Sequence, residues 1–337
     1  MKRYHLTILF LLLFFGSVSA QIQYEPDVLG NGFLQTTIQQ SADYEGEVVC
    51  TLIKKLCATG STKAVLYVHG FNDYFFQEEM AAQFNSHGYN FYAIDLRKYG
   101  RSWRPYQKIT DARDLSEYYA DIDTALKIIQ SEGNQTVLLS GHSTGGLTIS
   151  LYAQAHQGSE LFDALFMNSP FYNMNMGFLL RALGVPFISC QGKKHPNDTI
   201  HEKNNIGIYG SSLHKSAHGE WEFNTKWKQI ISPEVNKGWI RAIHKGQVQA
   251  RKGFEIDKPA LVLHSSKSVY GNEWDKKFFE GDAVLNVKHI EKRANKIKGD
   301  CTVKSVGNGM HDLILSPKPV REMAYQIMFE WLDVKMK

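Results

Sequence analysis

The stretch from Thr136 to Ala153, TVLLSGHSTGGLTISLYA, changes period halfway along. Thr136 to Ser140 is a mostly apolar run of strand length, whereas the residues from Leu147 onward follow a helical pattern. The change falls on Gly141-His142-Ser143-Thr144-Gly145, a GxSxG sequence. Such a match alone arises by chance in about one chain in ten of this length, so its position carries more than its letters. A serine that ends a buried-type strand and opens a helix sits on a tight turn that lifts its hydroxyl above the sheet edge. Gly141 and Gly145 have a mechanical reason to lack side chains, because the turn brings strand and helix backbones together. Ser143 is the candidate nucleophile.

Outward from this point the same rhythm recurs. Lys63 to His69, Phe91 to Leu96, Phe162 to Met167, Ala260 to His264 and Thr302 to Val306 read as further strands. Helical patterns occupy Phe75 to Ser86, Asp114 to Glu132, Val287 to Ile297 and Val320 to Leu332. Strand alternating with helix implies a mostly parallel sheet with helices on both faces. Two earlier runs, Phe33 to Gln39 and Glu47 to Leu56, are separated by the turn-like residues 41–46 and predict an antiparallel pair. Between Phe171 and Gly253 the alternation stops and aromatic, basic and turn residues take over, which predicts an inserted, mainly helical cap at 171–253 between core segments 21–170 and 254–337.

With 337 residues and 43% hydrophobic content the chain can bury a large core. Residues 1–20 have the layout of a secretory signal: Lys2 and Arg3, an apolar stretch from Leu6 to Phe15, then Val18-Ser19-Ala20. That stretch is short of the roughly twenty residues a spanning helix needs, so the expectation is export, with cleavage before Gln21. Removing the leader lowers the formal charge from +4 to +2, too neutral for a nucleic-acid partner. Export permits disulfides among Cys50, Cys57, Cys190 and Cys301, although Cys50 and Cys57 in one extended run cannot meet without a turn. No Cys/His spacing typical of zinc is present, so no metal is expected.

A serine hydroxyl needs a base, and the base needs an orienting acid. After a turn of this kind the order along the chain is acid, then histidine. His311 lies in GNGMHDL, immediately after the strand Thr302 to Val306, whereas His289 lies in a charged helical stretch that suits a surface histidine. The loop after Ala260 to His264 opens without a carboxylate, leaving Glu273, Asp275, Glu280 and Asp282 as candidates. Asp282 is favoured because DAVLNV returns the chain to packed structure. Donors for an oxyanion come from the amide after the nucleophile, Thr144, and from the loop after an earlier strand, most simply Phe71 in VHGFND. His69 reads as a strand-end residue holding that loop, and Asp73 as the cap of the following helix.

The set VLYVHGF, AIDLRKYGRS, SGHSTGG, DAVLNV and GMHDL, in that order, resembles the monoglyceride-lipase, lysophospholipase and serine-aminopeptidase branch of the α/β-hydrolases. The resemblance covers Lys63 to the C-terminus except the cap. It implies the α/β-hydrolase fold and places a nucleophile at Ser143, an acid at Asp282, a base at His311 and oxyanion amides at Phe71 and Thr144. Two departures stand out: Lys98 follows the arginine of a turn where the family has glycine, and about seventeen residues separate His264 from Asp282. The expected activity is that of a secreted serine hydrolase cleaving lipid-like or small carboxylic esters without a cofactor. The alternatives are an aminopeptidase on the same fold or a binding protein that retains it. Cap aromatics such as Phe171, Tyr172, Phe178, Trp221 and Trp227 suit an apolar substrate group or transient contact with a lipid surface. Lys193, Lys194, Arg241 and Lys245 read as a solvated basic face.

Overall fold

The alternating apolar and amphipathic runs form one nine-stranded sheet in the computed structural model, which describes residues 22–58, 60–201 and 207–336. The expected leader, residues 1–20, lies outside the described residues. In chain order the elements are β1 (Glu25–Pro26), β2 (Leu34–Asp43), β3 (Gly46–Lys55), β4 (Lys63–Val68), α1 (Glu78–Ser86), β5 (Asn90–Asp95) and α2 (Tyr119–Ser131). There follow β6 (Thr136–His142), α3 (Thr144–Ala155), β7 (Ala164–Asn168), α4 (Val185–Gln191), β8 (Thr199–Ile200), α5 (Ile208–Leu213), β9 (Val235–Asn236) and α6 (Lys237–Lys252). The chain closes with β10 (Ala260–Ser265), α7 (Val287–Ala294), β11 (Cys301–Val306) and α8 (Lys318–Lys335).

The large sheet runs β1-β2-β3-β5-β4-β6-β7-β10-β11. β1, β2, β3 and β5 pair antiparallel in succession, and every pairing from β5 to β11 is parallel. Parallel strands buried on both faces need apolar residues on both, and alternate residues supply two cores. Leu66, Leu139 and Val262 pack in one cluster with Ile122 of α2, Leu147 of α3 and Ile243 of α6. Their neighbours Val65, Leu138 and Leu261 pack in the other with Phe84 of α1 and Met328 of α8.

The elements depart from expectation where tertiary contacts override local pattern. β2 continues to Asp43, leaving Tyr44-Glu45 as the turn, because a register shift between Gln40 and Asp43 carries the ladder onward. The first helix starts at Glu78, three residues after the predicted Phe75, and its cap position is Gln77. Asp73 is therefore not the helix cap. The Phe75 amide bonds Asp95 Oδ1 at 2.8 Å, and the aromatic run Tyr74-Phe75-Phe76 is buried, so this stretch stays non-helical.

Within 171–253, α6 joins the first core: a side chain at Gly246 would meet Leu151, Leu115 and Leu147 at 3.0–3.2 Å. The described residues of 171–236 contain a π-helical turn at Leu180–Gly184, the short helices α4 and α5, and the two-residue ladder β8-β9, and are otherwise largely turns and loops. A small cluster of Tyr74, Phe76, Leu213, Phe223, Met310 and Leu315 joins this segment to the core. Cys50, Cys190 and Cys301 are free thiols and Cys57 is buried just beyond β3, so no disulfide joins Cys50 to Cys57. Among the described residues no helix is long and apolar enough to cross a membrane.

Candidate active site

β6 delivers Ser143 to the carboxyl edge of the sheet, where α3 begins at the next residue. Ser143 takes φ 52° and ψ −114°, a conformation that L side chains rarely adopt. The tight turn requires contact between backbones: a Cβ at Gly145 would lie 2.4 Å from the carbonyl oxygens of both Val68 and His69. The loop after β4 passes just as close, since a Cβ at Gly70 would lie 3.2 Å from Ser143 Cβ.

His311 Nε2 lies 2.9 Å from Ser143 Oγ, and His311 Nδ1 lies 3.0 Å from Asp282 Oδ2. All three residues are buried. The Asp282 carboxylate is itself oriented, because Oδ1 accepts the amides of Val284 at 2.8 Å and Leu285 at 2.7 Å. Oδ2 is thereby left to take the His311 Nδ1 proton, which assigns Nε2 as the acceptor facing Ser143.

The seventeen-residue separation between His264 and Asp282 is closed by backbone pairing. The Asp282 amide donates to Lys267 O and the Val269 amide to Asp282 O, each at 2.9 Å, so Asp282 is held beside the end of β10. The residues between make a surface excursion. Asp275 caps a 3-10 turn there, Glu280 pairs with Lys267, and Glu273 is exposed, which places all three other carboxylate candidates on the outside.

Phe71 lies in the turn after β4, and Thr144 is the first residue of α3. Neither amide donates to a backbone carbonyl in the turns and loops of the described residues. His69 is saturated: Nδ1 donates to Gly70 O at 2.8 Å and Nε2 accepts the Leu96 amide at 3.1 Å. Burial lowers its pKa against the opposing pull of Asp95 and Asp73. The Phe71 and Trp239 rings stand 4.7 Å apart and Phe171 lies 6.5 Å from Trp239, while the Phe171 amide bonds Ser143 O at 2.9 Å. His289 lies half-buried on α7, apart from this group.

One group beside the site was not singled out from sequence. Asp73, His142 and Asp312 are buried together, and the His142 and His311 ring centroids are 4.9 Å apart. Lys228 reaches Asp73 Oδ1 at 2.8 Å, and Asn168 donates to Asp312 Oδ1 at 2.7 Å. Burial pushes the Asp73 carboxyl up, but the Lys228 ammonium and His142 outweigh it and hold it well below the carboxylate range. The available signal was proximity to motif residues: His142 precedes Ser143, Asp312 follows His311, and Asp73 follows Phe71 by two.

The segment 171–253 presents a contrasting surface. Phe178, Leu179, Leu180, Leu183 and Phe187 are 64–71% exposed within ten residues.

The family model described as "Serine aminopeptidase, S33" matches residues 60–318. No curated protein matches. Among solved structures, a soluble variant of monoglyceride lipase from Saccharomyces cerevisiae, in complex with a substrate analog, is similar at 16% identity and TM-score 0.63, covering 89% of this chain and 95% of that one. The monoacylglycerol lipase of Paleococcus ferrophilus is similar at 17% identity and TM-score 0.61, covering 83% of this chain and 98% of that one. Est1E from Butyrivibrio proteoclasticus, with ferulic acid bound, is similar at 14% identity and TM-score 0.55, covering 89% and 99%. At these identities the likeness is one of fold, and it agrees with the mostly parallel sheet and its helices. The match over residues 60–318 goes further: the chain belongs to the Hydrolase_4 family, serine aminopeptidase S33, and is an α/β-hydrolase.

Proposed function

We propose that the chain is a serine hydrolase that cleaves carboxylic esters of lipid-like or small substrates through an acyl-Ser143 intermediate. The reading rests on the continuous hydrogen-bonded line Asp282–His311–Ser143, with contacts of 3.0 and 2.9 Å. Ser143 Oγ attacks the ester carbonyl while His311 Nε2 takes its proton. The carbonyl oxygen becomes an oxyanion that the Phe71 and Thr144 amides receive. His311 returns the proton to the departing alkoxide, releasing the alcohol, and then activates a water that releases the acid. Asp282 holds the imidazole and offsets its charge while it is protonated.

Lipid-like substrates are supported by the aromatic pair of Trp239 and Phe71, whose loop passes beside Ser143, and by the exposed residues between Phe178 and Phe187, which suit transient contact with a lipid surface. Two solved relatives of the same fold are monoacylglycerol lipases by name. The layout of residues 1–20 supports export. An aminopeptidase would need a carboxylate free to bind a substrate ammonium. Among the described residues of 171–253, each of Asp198, Glu220, Glu222 and Glu234 already pairs with a basic side chain, which favours the ester reading.

Turnover of p-nitrophenyl esters of graded chain length tests the proposal. Activity that peaks at one chain length and is lost in Ser143→Ala supports it, and undiminished turnover in that variant overturns the mechanism. A fluorophosphonate probe that fails to label Ser143 would favour a binding protein instead.

A further inference from the structure

We propose that Asp73, His142 and Asp312 bind one divalent transition-metal cation, of the zinc or manganese class, beneath the serine. His142 Nδ1 lies 3.8 Å from Asp73 Oδ2 and 3.8 Å from Asp312 Oδ2, and the ligand atoms of the three residues fall within 4.8 Å of one another. A point equidistant from three atoms so spaced lies at most about 2.5 Å from each, so closing onto zinc–ligand bonds of about 2.0–2.2 Å takes a shift of a few tenths of an ångström.

The donor atoms are left over in the manner a cation site requires. Asp73 Oδ1 is taken by Lys228 at 2.8 Å, and Asp312 Oδ1 by Asn168 at 2.7 Å and the Ile314 amide at 3.1 Å. In each carboxylate the second oxygen, Oδ2, has no hydrogen-bond partner, and neither ring nitrogen of His142 has one. The three residues are 1%, 4% and 0% exposed, so water from outside does not satisfy them. Outer hydrogen bonds that fix one carboxylate oxygen and free the other are the usual support of a metal ligand. Two carboxylates and one ammonium leave the group one negative charge, which a divalent cation offsets. The imidazole disfavours calcium and magnesium, and two carboxylates disfavour Cu(I), which points to a divalent first-row metal, a class that includes zinc and manganese.

The positions of the ligands give the site a purpose. Asp73 lies two residues beyond Phe71, His142 immediately before Ser143, and Asp312 immediately after His311. One cation would tie the oxyanion loop, the nucleophile turn and the base loop into a single register.

The test is metal content, which does not depend on ester turnover. The full chain is expressed in zinc-supplemented medium, purified without chelator and analysed by plasma mass spectrometry. About one zinc per chain is expected in the wild type and in Asp282→Asn, with at least a tenfold loss in Asp312→Asn and His142→Gln. Crystals of the wild type, which needs no variant to fold, are expected to show an anomalous peak at the zinc edge among the three side chains. Wild-type zinc no higher than in Asp312→Asn, or an ordered water without anomalous signal at that point, overturns the proposal.

Discussion

Lys98 is a residue-scale case of a rule broken and compensated. Its φ of 65° is a conformation in which glycine is at ease, and its ammonium is fully buried, yet it lies 2.8 Å from carboxylate oxygens of both Asp43 and Glu45. Replacing it with glycine relieves the backbone but strands two carboxylates. We expect Lys98→Gly to destabilise the fold by about 1–3 kcal/mol in urea unfolding, and Lys98→Met, which keeps the strain, by more. The departure at Lys98 was visible in the sequence, but its remedy lies more than fifty residues earlier and was not. His69 sets a pH dependence. Its folded pKa is depressed, so the unfolded chain takes up a proton first as pH falls. Its contribution to stability is complete above the unfolded value of about 6.5 and is lost as pH falls from there through the folded pKa. Thermal unfolding between pH 7.5 and 5 should show this loss, reduced in His69→Gln. Asp282→Asn should lower kcat by about a thousandfold or more with little change in KM, because the His311 tautomer is no longer fixed. If Asp282→Asn keeps wild-type kcat, the acid is misassigned.

At the scale of elements, the strands were the most legible part, since a strand buried on both faces has few ways to be written. The start of α1 was not, because Asp95 captures the Phe75 amide from a distant strand. The acid loop shows the same limit: Asp282 could be favoured from its neighbours, but the pairing with Lys267 and Val269 that seats it is tertiary. The stretch from Phe178 to Phe187 exposes five large apolar side chains, and it should act only at an interface. A Leu183→Ser, Phe187→Ser double variant is expected to reduce turnover of esters dispersed in phospholipid vesicles by about tenfold or more, since each apolar side chain withdrawn from water contributes ~1.5–3 kcal/mol. Turnover of a short, freely soluble ester should stay close to wild type. Equal losses on both substrates would assign the stretch to the fold instead.

For the whole molecule, distant segments converge on the carboxyl edge of the sheet. Asp27, from the turn between β1 and β2, bonds Arg101 at 2.5 Å, and Arg101 in turn holds Asp95 and Phe75 O. The segment 171–253 is fastened near the His311 loop by Trp221 to Leu315 O at 2.9 Å and by Glu220 to Arg321. Apart from the short-range contact of Arg101 with Asp95, these ties were illegible in sequence because they join residues far apart in the chain, as does the trio Asp73, His142 and Asp312. Covalent ties contribute nothing to Cys50, Cys190 or Cys301, and burial raises the thiol pKa of Cys50 and pushes that of Cys301 up to about 12. Of the four cysteines, only Cys190 is exposed. Titration of the native chain with a thiol reagent should count one rapid reaction, rising to four in denaturant, with a reductant leaving Tm unchanged.

The turn at Ser143 has one more consequence. A side chain held at φ 52° and ψ −114° costs about 1–3 kcal/mol, which exceeds the usual disadvantage of glycine against alanine, about 0.5–1 kcal/mol. Of two substitutions that the proposed mechanism makes inactive, Ser143→Gly should therefore melt higher than Ser143→Ala. A laboratory population selected for heat resistance alone would drift toward glycine at this position and abandon the reaction, so a thermostability screen of this protein needs activity as a second filter.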